Sequence, residues 1–353
     1  MIFLVPKKVL ITGGAGFLGL HCARYFSRKK WDVVIADIMS PNLKEYPKQT
    51  VNLTVDIRDR AKFTKSLRNV DVVIHAAAAL PLWSAKEIYS TNIKGTKNVL
   101  EACVANQVSR VIYISSTAVY GIPKKHPIYE SDPVYGVGPY GESKIAAEAL
   151  CTKYQDRGLT VSIIRPKTFV GTHRLGVFEI LFDWIRDGRR IPVVGRGLNR
   201  YQLLEVEDLC AALYLLATHK NKKQVNDVFN IGAAQFDTVG RDLGALFKYA
   251  KSGSKIFPTP AWLVKKTLFI LEKLRLSPLY QWVYETADQD SYVSIDKLTK
   301  TLKWKPKYSN SQALIRSYQW YLDNFDEVKS RTPGVTHTVG WNQGILGFFK
   351  RFM

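Results

Sequence analysis

The sequence predicts an α/β protein: a doubly wound parallel sheet with a smaller, mixed C-terminal lobe. Three observations carry that prediction. Short apolar runs alternate with segments of helical period through the first half of the chain. A glycine-rich turn joins the first apolar run to the first helical segment. Beyond Pro166 the alternation gives way to shorter runs punctuated by Gly and Pro.

The elements follow in order. KVLIT (8–12) reads as a buried strand, and FLGLHCARYFSRK (17–29) has helical period. DVVIAD (32–37) and DVVIHAA (71–77) are further strands, followed by a long helical stretch over about 85–105. RVIYIS (110–115) is a strand, Tyr140 to about Asp156 a helix, and TVSIIR (160–165) a strand. Strands separated by helices pair in parallel. In the second half IPVVG, YQLL and VFNIG read as short strands. EDLCAALYLLATH (207–219) and TPAWLVKKTLFILEKL (259–274) read as helices. The expected division is 1–166 for the sheet domain, 167–325 for the lobe and 326–353 for a basic amphipathic tail, with some later segments returning to the first domain.

At 353 residues the chain is long enough for one large domain with a lobe attached. A hydrophobic content of 46% with 23% charged residues excludes wholesale disorder. The formal charge of +21 favours anionic partners, such as nucleotide cofactors or acidic lipid surfaces. There is no helix-turn-helix, zinc-finger or aromatic RNA-binding signature, so nucleic acid is not an expected partner. Cys22, Cys103, Cys151 and Cys210 lack metal-ligand spacing and read as buried thiols of a cytoplasmic protein. The scattered histidines give no metal site. MIFLVP is too short for the apolar core of a signal peptide, and no apolar run reaches the length of a membrane span.

ITGGAGFLG places Gly13, Gly16 and Gly19 between a strand and a helix. A tight turn, a close approach of backbone to a pyrophosphate, and close helix–strand packing each need a missing side chain. The helix N-terminus offers free N–H groups and a positive dipole end to phosphate. Asp37 ends the next strand, where a carboxylate accepts bonds from ribose hydroxyls and repels a 2′-phosphate. No arginine follows it directly, so NAD is expected rather than NADP.

With these features the chain resembles the extended short-chain dehydrogenase/reductases, which include nucleotide-sugar epimerases and dehydratases and 3β-hydroxysteroid dehydrogenases. The marks are TGGAGFLG (12–19), DIRD (56–59), HAAA (75–78), NIKGT (92–96), ISSTAVYG (114–121), PYGESK (139–144), RPKTFVG (165–171), VEDL (206–209) and VFNIG (228–232). The likeness covers about residues 7 to 325. It implies a Rossmann NAD-binding domain with a substrate-binding lobe. It places Asp56 and Ile57 by the adenine, Ala76, Ala77 and Ala78 along the cofactor, and Asn92 at the nicotinamide end. Phe17, Leu18 and Pro166, with Tyr140 and Lys144, complete the implied cofactor contacts. The resemblance also implies a homodimer through the helices at about 85–105 and 140–156.

Taking hydrogen from a secondary alcohol needs a base for the hydroxyl proton. A free tyrosine titrates near 10, so its anion must be stabilised, and a lysine one helical turn away can do that. Three stretches have the spacing Tyr-x-x-x-Lys: Tyr25 to Lys29, Tyr120 to Lys124 and Tyr140 to Lys144. Pro123 lies inside the second, and the first lies on the helix after the glycine loop. Only Tyr140–Lys144 opens a long helix after a strand ending in Ser. The resemblance gives Ser116 the role of holding the substrate oxygen. Dehydratases of the family carry Asp-Glu just after that position, where this chain has Thr117 and Ala118, so dehydration is not expected.

The substrate is the open question. Nucleotide-sugar members commonly carry asparagine where this chain has Thr168, and a diphosphate-gripping arginine where it has Tyr201, with Arg200 one residue off. In a strand one residue changes the face. The expected substrate contacts are Ser116, Thr117, Thr168 and Tyr201. The apolar segment 259–274 looks like a helix of sterol- and lipid-acting relatives. In GILGFFKRFM, Ile345, Leu346, Phe348, Phe349, Phe352 and Met353 share one helical face, with Lys350 and Arg351 on the other, which suits an anionic membrane interface or a tail docked on its own protein. The leading expectation is an NAD-dependent dehydrogenase of a sterol- or lipid-like secondary alcohol, peripheral at the membrane. The alternatives are a UDP-sugar 4-epimerase and a non-catalytic NAD-sensing scaffold.

Overall fold

The computed structural model describes residues 7–273, 281–331, 333–334, 340–341 and 350. In chain order β1 (Lys8–Thr12), α1 (Phe17–Arg28), β2 (Asp32–Asp37), β3 (Val51–Thr54), α2 (Arg60–Ser66) and β4 (Val72–His75) form the first half of the sheet. Then come α3 (Ala85–Tyr89), a π turn (Ser90–Gly95), α4 (Thr96–Ala105), β5 (Arg110–Ile114), α5 (Gly138–Gln155) and β6 (Val161–Pro166). The second half runs β7 (Phe169–Val170), α6 (Phe178–Arg186), β8 (Ile191–Val194), β9 (Leu204–Glu205), α7 (Val206–Thr218), α8 (Lys222–Val225), β10 (Val228–Ile231), α9 (Val239–Ala250) and β11 (Ile256–Thr259). It closes with α10 (Ala261–Lys273), α11 (Gln281–Thr286), α12 (Asp296–Leu302), α13 (Asn310–Asp323) and α14 (Phe325–Ser330).

The main sheet has seven strands in the order β10-β6-β5-β4-β1-β2-β3. All its pairs are parallel. Its order reverses at β1/β4, the place where a doubly wound sheet opens a crevice for ligands. Strand alternation sorts the apolar side chains onto two faces. Val9, Ile11, Val33, Ile35, Val72, Ile74 and Ile112 pack beneath α1 and α7. Leu10, Val34, Val73, Val111, Tyr113, Val161 and Ile163 pack beneath α4 and α5. Each such fully buried aliphatic side chain contributes about 1.5–3 kcal/mol, which makes the sheet the rigid base of the site. A third apolar cluster joins α6, α9 and α13.

Strand β10 comes from beyond residue 166 and adds to the edge at β6, with Val228 opposite Ile163. The long helix expected over 85–105 is interrupted by the π turn. Strands β3 and β11 had no counterpart in the sequence reading. Tyr201 makes an isolated bridge to Ser291 rather than belonging to a strand over 201–204. All four cysteines are buried and free, with Cys22 Sγ 3.7 Å from Cys210 Sγ.

Among the described residues no helix is long and apolar enough to cross a membrane. The apolar tail residues Ile345, Leu346, Phe348, Phe349, Phe352 and Met353 lie outside the described residues. Lys350 is described, and it pairs with Asp183 and, at 2.7 Å, with Asp187 at the end of α6. This part of the tail's basic face is therefore turned onto its own protein.

Candidate active site

The glycine turn is shaped by its neighbours. Gly13 has φ +67°, and a Cβ there would lie 2.8 Å from the Ala77 nitrogen. A Cβ on Gly19 would lie 2.4 Å from the Gly13 oxygen, so α1 packs onto the turn only without one. The α1 N-terminus carries no side-chain cap and no acid in its first turn, which leaves N–H groups for an anion. Phe17 and Leu18 are core residues by side chain, so only their backbone can face a phosphate. Asp37 Oδ2 accepts from the Ala15 N–H and Oδ1 from the Met39 N–H, both at 3.0 Å. The carboxylate is thus fixed at the end of β2, with lone pairs left for ribose hydroxyls. Tyr46, which no sequence signal had marked, donates to the Gly14 carbonyl at 2.8 Å and holds the turn from outside.

Asp56 is gripped by Arg58, with Arg58 Nη2 2.7 Å from Oδ2 and the backbone N–H of Arg58 2.8 Å from Oδ1. Burial alone would raise its carboxyl, but the hydrogen bonds and charge of Arg58 outweigh it and hold the group below its usual value. Ile57 is buried against Gly95. Ala76, Ala77 and Ala78 are half-exposed along the edge after β4.

A directional hydrogen-bond chain locks that edge. Ala77 N–H donates to Thr12 Oγ1 at 3.2 Å, and Thr12 Oγ1 meets His75 Nδ1 at 2.8 Å. His75 Nε2 meets Thr96 Oγ1 at 2.9 Å, and Thr96 donates to the Asn92 carbonyl at 2.6 Å. Since Thr96 gives its only proton to Asn92, His75 donates from Nε2 and accepts from Thr12 at Nδ1. Burial, aided by the charge of Lys144, pushes the His75 imidazole down to about 3, so it is neutral as this pattern requires. Asn92 sits on the π turn, accepts from Ala79 N–H at 2.8 Å and donates to Ser143 Oγ at 3.0 Å. Ser143 in turn donates to the Tyr140 carbonyl at 2.8 Å. The cofactor edge and the Tyr140 helix are one connected unit.

Ser116 follows β5 and caps a short 3-10 turn, Thr117–Tyr120, by accepting from Ala118 N–H at 3.1 Å. Tyr140 lies in the first turn of α5, half-buried, with its phenol hydrogen-bonded to Ser116. Lys144 is one turn on and 3% exposed, with Nζ donating to the Ile114 carbonyl at 2.8 Å and standing 5.8 Å from the Tyr140 ring centroid. Burial pushes Tyr140 up to about 12 while the Ser116 bond pulls it down. The lysine by itself therefore does not bring the phenol below 10, contrary to the simple expectation. Burial lowers Lys144 to about 8, and Glu148 one turn later pulls the other way.

The other two tyrosines are occupied elsewhere. Tyr120 donates to Asn230 Oδ1 and accepts from Arg165 Nη1, both at 2.7 Å. Arg165 is locked to Glu148 by three bonds, of 2.9 and 3.2 Å from Nε and 2.6 Å from Nη2. Tyr25 packs against Tyr214, with ring centroids 5.9 Å apart, in the α1–α7 layer. Thr117 is buried and donates to the carbonyl of buried Pro166 at 3.3 Å.

At the lobe side Thr168 Oγ1 lies 3.5 Å from Tyr201 Oη. Arg200 pairs with Thr238 and Tyr201 with Ser291, so the two neighbours point apart. The Arg200 guanidinium stacks over Phe236 and Tyr292, at 4.7 and 4.8 Å from their centroids. The apolar helix α10 leaves Trp262, Leu263, Phe269 and Ile270 partly or largely exposed. Lys167, which the sequence reading passed over, is 1% exposed beside Tyr201.

The glycine turn, the uncapped helix, the fixed Asp37 and the alanine edge together fit a dinucleotide. The model of the "NAD dependent epimerase/dehydratase family" matches residues 9–232. A protein of Sinorhizobium fredii, "Uncharacterized protein y4nG", is 34% identical over 91% of this chain and 80% of its own length. The UDP-glucose 4-epimerase of Lactobacillus helveticus is 28% identical over 89% of this chain and 97% of its own. The structure of UDP-glucuronic acid 4-epimerase from Bacillus cereus, in complex with UDP-glucuronic acid and NAD, superposes with a TM-score of 0.74 at 22% identity, over 90% of this chain and 99% of that one.

Proposed function

Since this chain belongs to the NAD-dependent epimerase/dehydratase family and is an NAD-dependent enzyme of the extended short-chain dehydrogenase/reductase type, we propose that it is a nucleotide-sugar 4-epimerase. One observation carries the reading. The Tyr140 phenol is hydrogen-bonded to Ser116 above the Lys144 ammonium, while Thr117 and Ala118 offer no carboxylate for eliminating water. The relatives' names support a nucleotide-sugar substrate over the sterol- or lipid-like one that the apolar helix suggested.

NAD, held by the glycine turn, Asp37 and the alanine edge, supplies the hydride acceptor at its nicotinamide. The chain's own residues manage the proton. Ser116 Oγ, which accepts from Ala118 N–H and bonds the Tyr140 phenol, turns its proton to the substrate oxygen when substrate enters. Tyr140 Oη takes the proton from the substrate hydroxyl and later returns it. Lys144 places its charge beside the phenolate that forms, and Glu148 keeps that lysine protonated. Asn92 and Ser143 fix the helix that carries Tyr140. Pairing of two copies through α4 and α5 is part of the same proposal.

The test is direct. Purified protein with NAD is given UDP-glucose, and epimers are read by proton NMR while absorbance follows NADH. Interconversion of UDP-glucose and UDP-galactose without net NADH is expected. Net NADH from an amphiphilic secondary alcohol, with no epimer formed from any UDP- or dTDP-sugar, would overturn the reading.

A further inference from the structure

Among the described residues two buried bases lack an acid partner: Arg110, whose guanidinium donates to the carbonyls of Leu216 and His219, and Lys167. Arg165 pairs with Glu148, and Arg174 with Glu45 at 3.1 Å. Lys167 follows Pro166 at the end of β6 and has no such partner among the described residues. Its Nζ donates to Ser291 Oγ at 2.7 Å and faces aromatic rings, 4.8 Å from the Tyr201 centroid and 5.8 Å from that of Trp282. An isolated buried cation is costly. Burial accordingly pushes this ammonium down to about 7, with no opposing carboxylate.

The surroundings are polar and incompletely paired. His126 is close enough that the Lys167 charge adds to burial in lowering its imidazole, with Asp290 pulling the other way, and its buried Nε2 has no partner. The half-buried hydroxyls of Thr168 and Tyr201 meet at 3.5 Å and form the accessible side of this cluster. The cluster also adjoins the candidate catalytic turn. Thr117 ties that turn to Pro166, one residue before Lys167, and Trp282 Nε1 donates to the Gly121 carbonyl at its far end at 2.8 Å. Unlike Arg110, whose partners are backbone carbonyls away from this turn, Lys167 adjoins the candidate catalytic turn and offers its charge there to an anionic ligand.

We propose that Lys167 binds an oxyanion of the substrate, supplying from β6 the positive charge that Tyr201 lacks. The inference rests on the nucleotide-sugar reading and deepens it. The oxyanion is either the diphosphate bridge or a carboxylate on the sugar.

Calorimetric titration of the full-length, NAD-loaded protein with UDP, UDP-glucose and UDP-glucuronate distinguishes these. Lys167→Met keeps the length of the side chain and removes an uncompensated charge. It is expected to fold, as checked by circular dichroism, and to lose at least about tenfold in affinity. Loss for all three ligands identifies the diphosphate, and loss for UDP-glucuronate alone identifies the sugar carboxylate. Unchanged affinities for all three overturn the proposal. A second measurement needs no variant. An anion beside Lys167 raises its affinity for a proton, so wild-type binding at about pH 8 should take up protons, read in two buffers of different ionisation enthalpy. Binding without uptake counts against Lys167. If the wild type binds none of the three ligands, the nucleotide-sugar reading fails and this inference goes with it.

Discussion

Lys144 Nζ stands 5.8 Å from the centroid of the Tyr140 ring and is anchored to the Ile114 carbonyl at 2.8 Å. The pair is preorganised, yet burial holds the phenol up at about 12 in the protein alone. The positive charge of Lys144 must therefore act together with that of the oxidised cofactor to reach a working base. Since the base form is the active one, turnover should rise with pH through the phenol's pKa in the loaded enzyme. Lys144→Met should move that rise to higher pH and cut the neutral-pH rate by about a hundredfold or more. A pH–rate profile of the variant whose rise stays in place would remove Lys144 from this role.

The two tyrosines near β5, Tyr140 and Tyr120, should separate cleanly. Tyr140→Phe removes the hydroxyl that exchanges the proton, so turnover should vanish while NAD still binds. Tyr120→Phe leaves Arg165 and Asn230 each short of a partner, which costs about 1–3 kcal/mol of stability. Its turnover should persist below the melting temperature. Urea unfolding and the epimer assay, run on both variants, check this; a stable but inactive Tyr120→Phe would reverse the assignment.

The parallel sheet was legible because β1, β2, β4, β5 and β6 are apolar, β-branched runs buried on both faces. The glycine turn, Asp37 and Tyr140 were legible because backbone geometry and helix position restrict them. β3 was not, since VNLT is a half-exposed stretch near the sheet edge with little apolar signal. β11 carries Pro258, which argues against a strand when read in isolation. The π turn adds a residue to a helix and turns Asn92 inward, and no periodic pattern marks such an addition. Lys167 was passed over because a lysine reads as surface; only the fold places it between Tyr201 and Trp282.

Two glycines of positive φ offer a controlled comparison. Ala at Gly13 is strained by its φ of +67° and drives a Cβ to 2.8 Å from the Ala77 nitrogen, which is backbone on the cofactor edge. Gly158 has φ +93° with nothing within 4 Å of a Cβ. Each substitution costs about 1–2 kcal/mol for the left-handed backbone. Only Gly13→Ala should also displace the Ala76–Ala78 edge, with NAD affinity falling at least tenfold in a fluorescence titration. Gly158→Ala should lower the melting temperature and leave NAD binding as it was.

The neutral His75 at the centre of the Thr12–Thr96 chain sets a pH dependence of stability. Its folded value is about 3, against about 6.5 for an unfolded imidazole. His21, buried and likewise lowered mainly by burial, is also at about 3. Between these values the unfolded chain binds one more proton at each histidine than the folded protein does. The contribution of each imidazole is therefore full above pH 6.5 and falls as pH drops toward 3, by about 1.4 kcal/mol per pH unit. His173, at about 4, and His126 are lowered too, mainly by burial, and His75→Gln removes one of these four contributions. It lowers stability at pH 7 by disturbing the hydrogen-bond chain, but the loss from pH 6 to pH 5 should be smaller than in the wild type by about 1.4 kcal/mol. Urea unfolding at those two pH values measures the difference. An unchanged slope in the variant would mean that His75 takes up its proton without unfolding, and that the chain from Ala77 to Asn92 does not need a neutral ring.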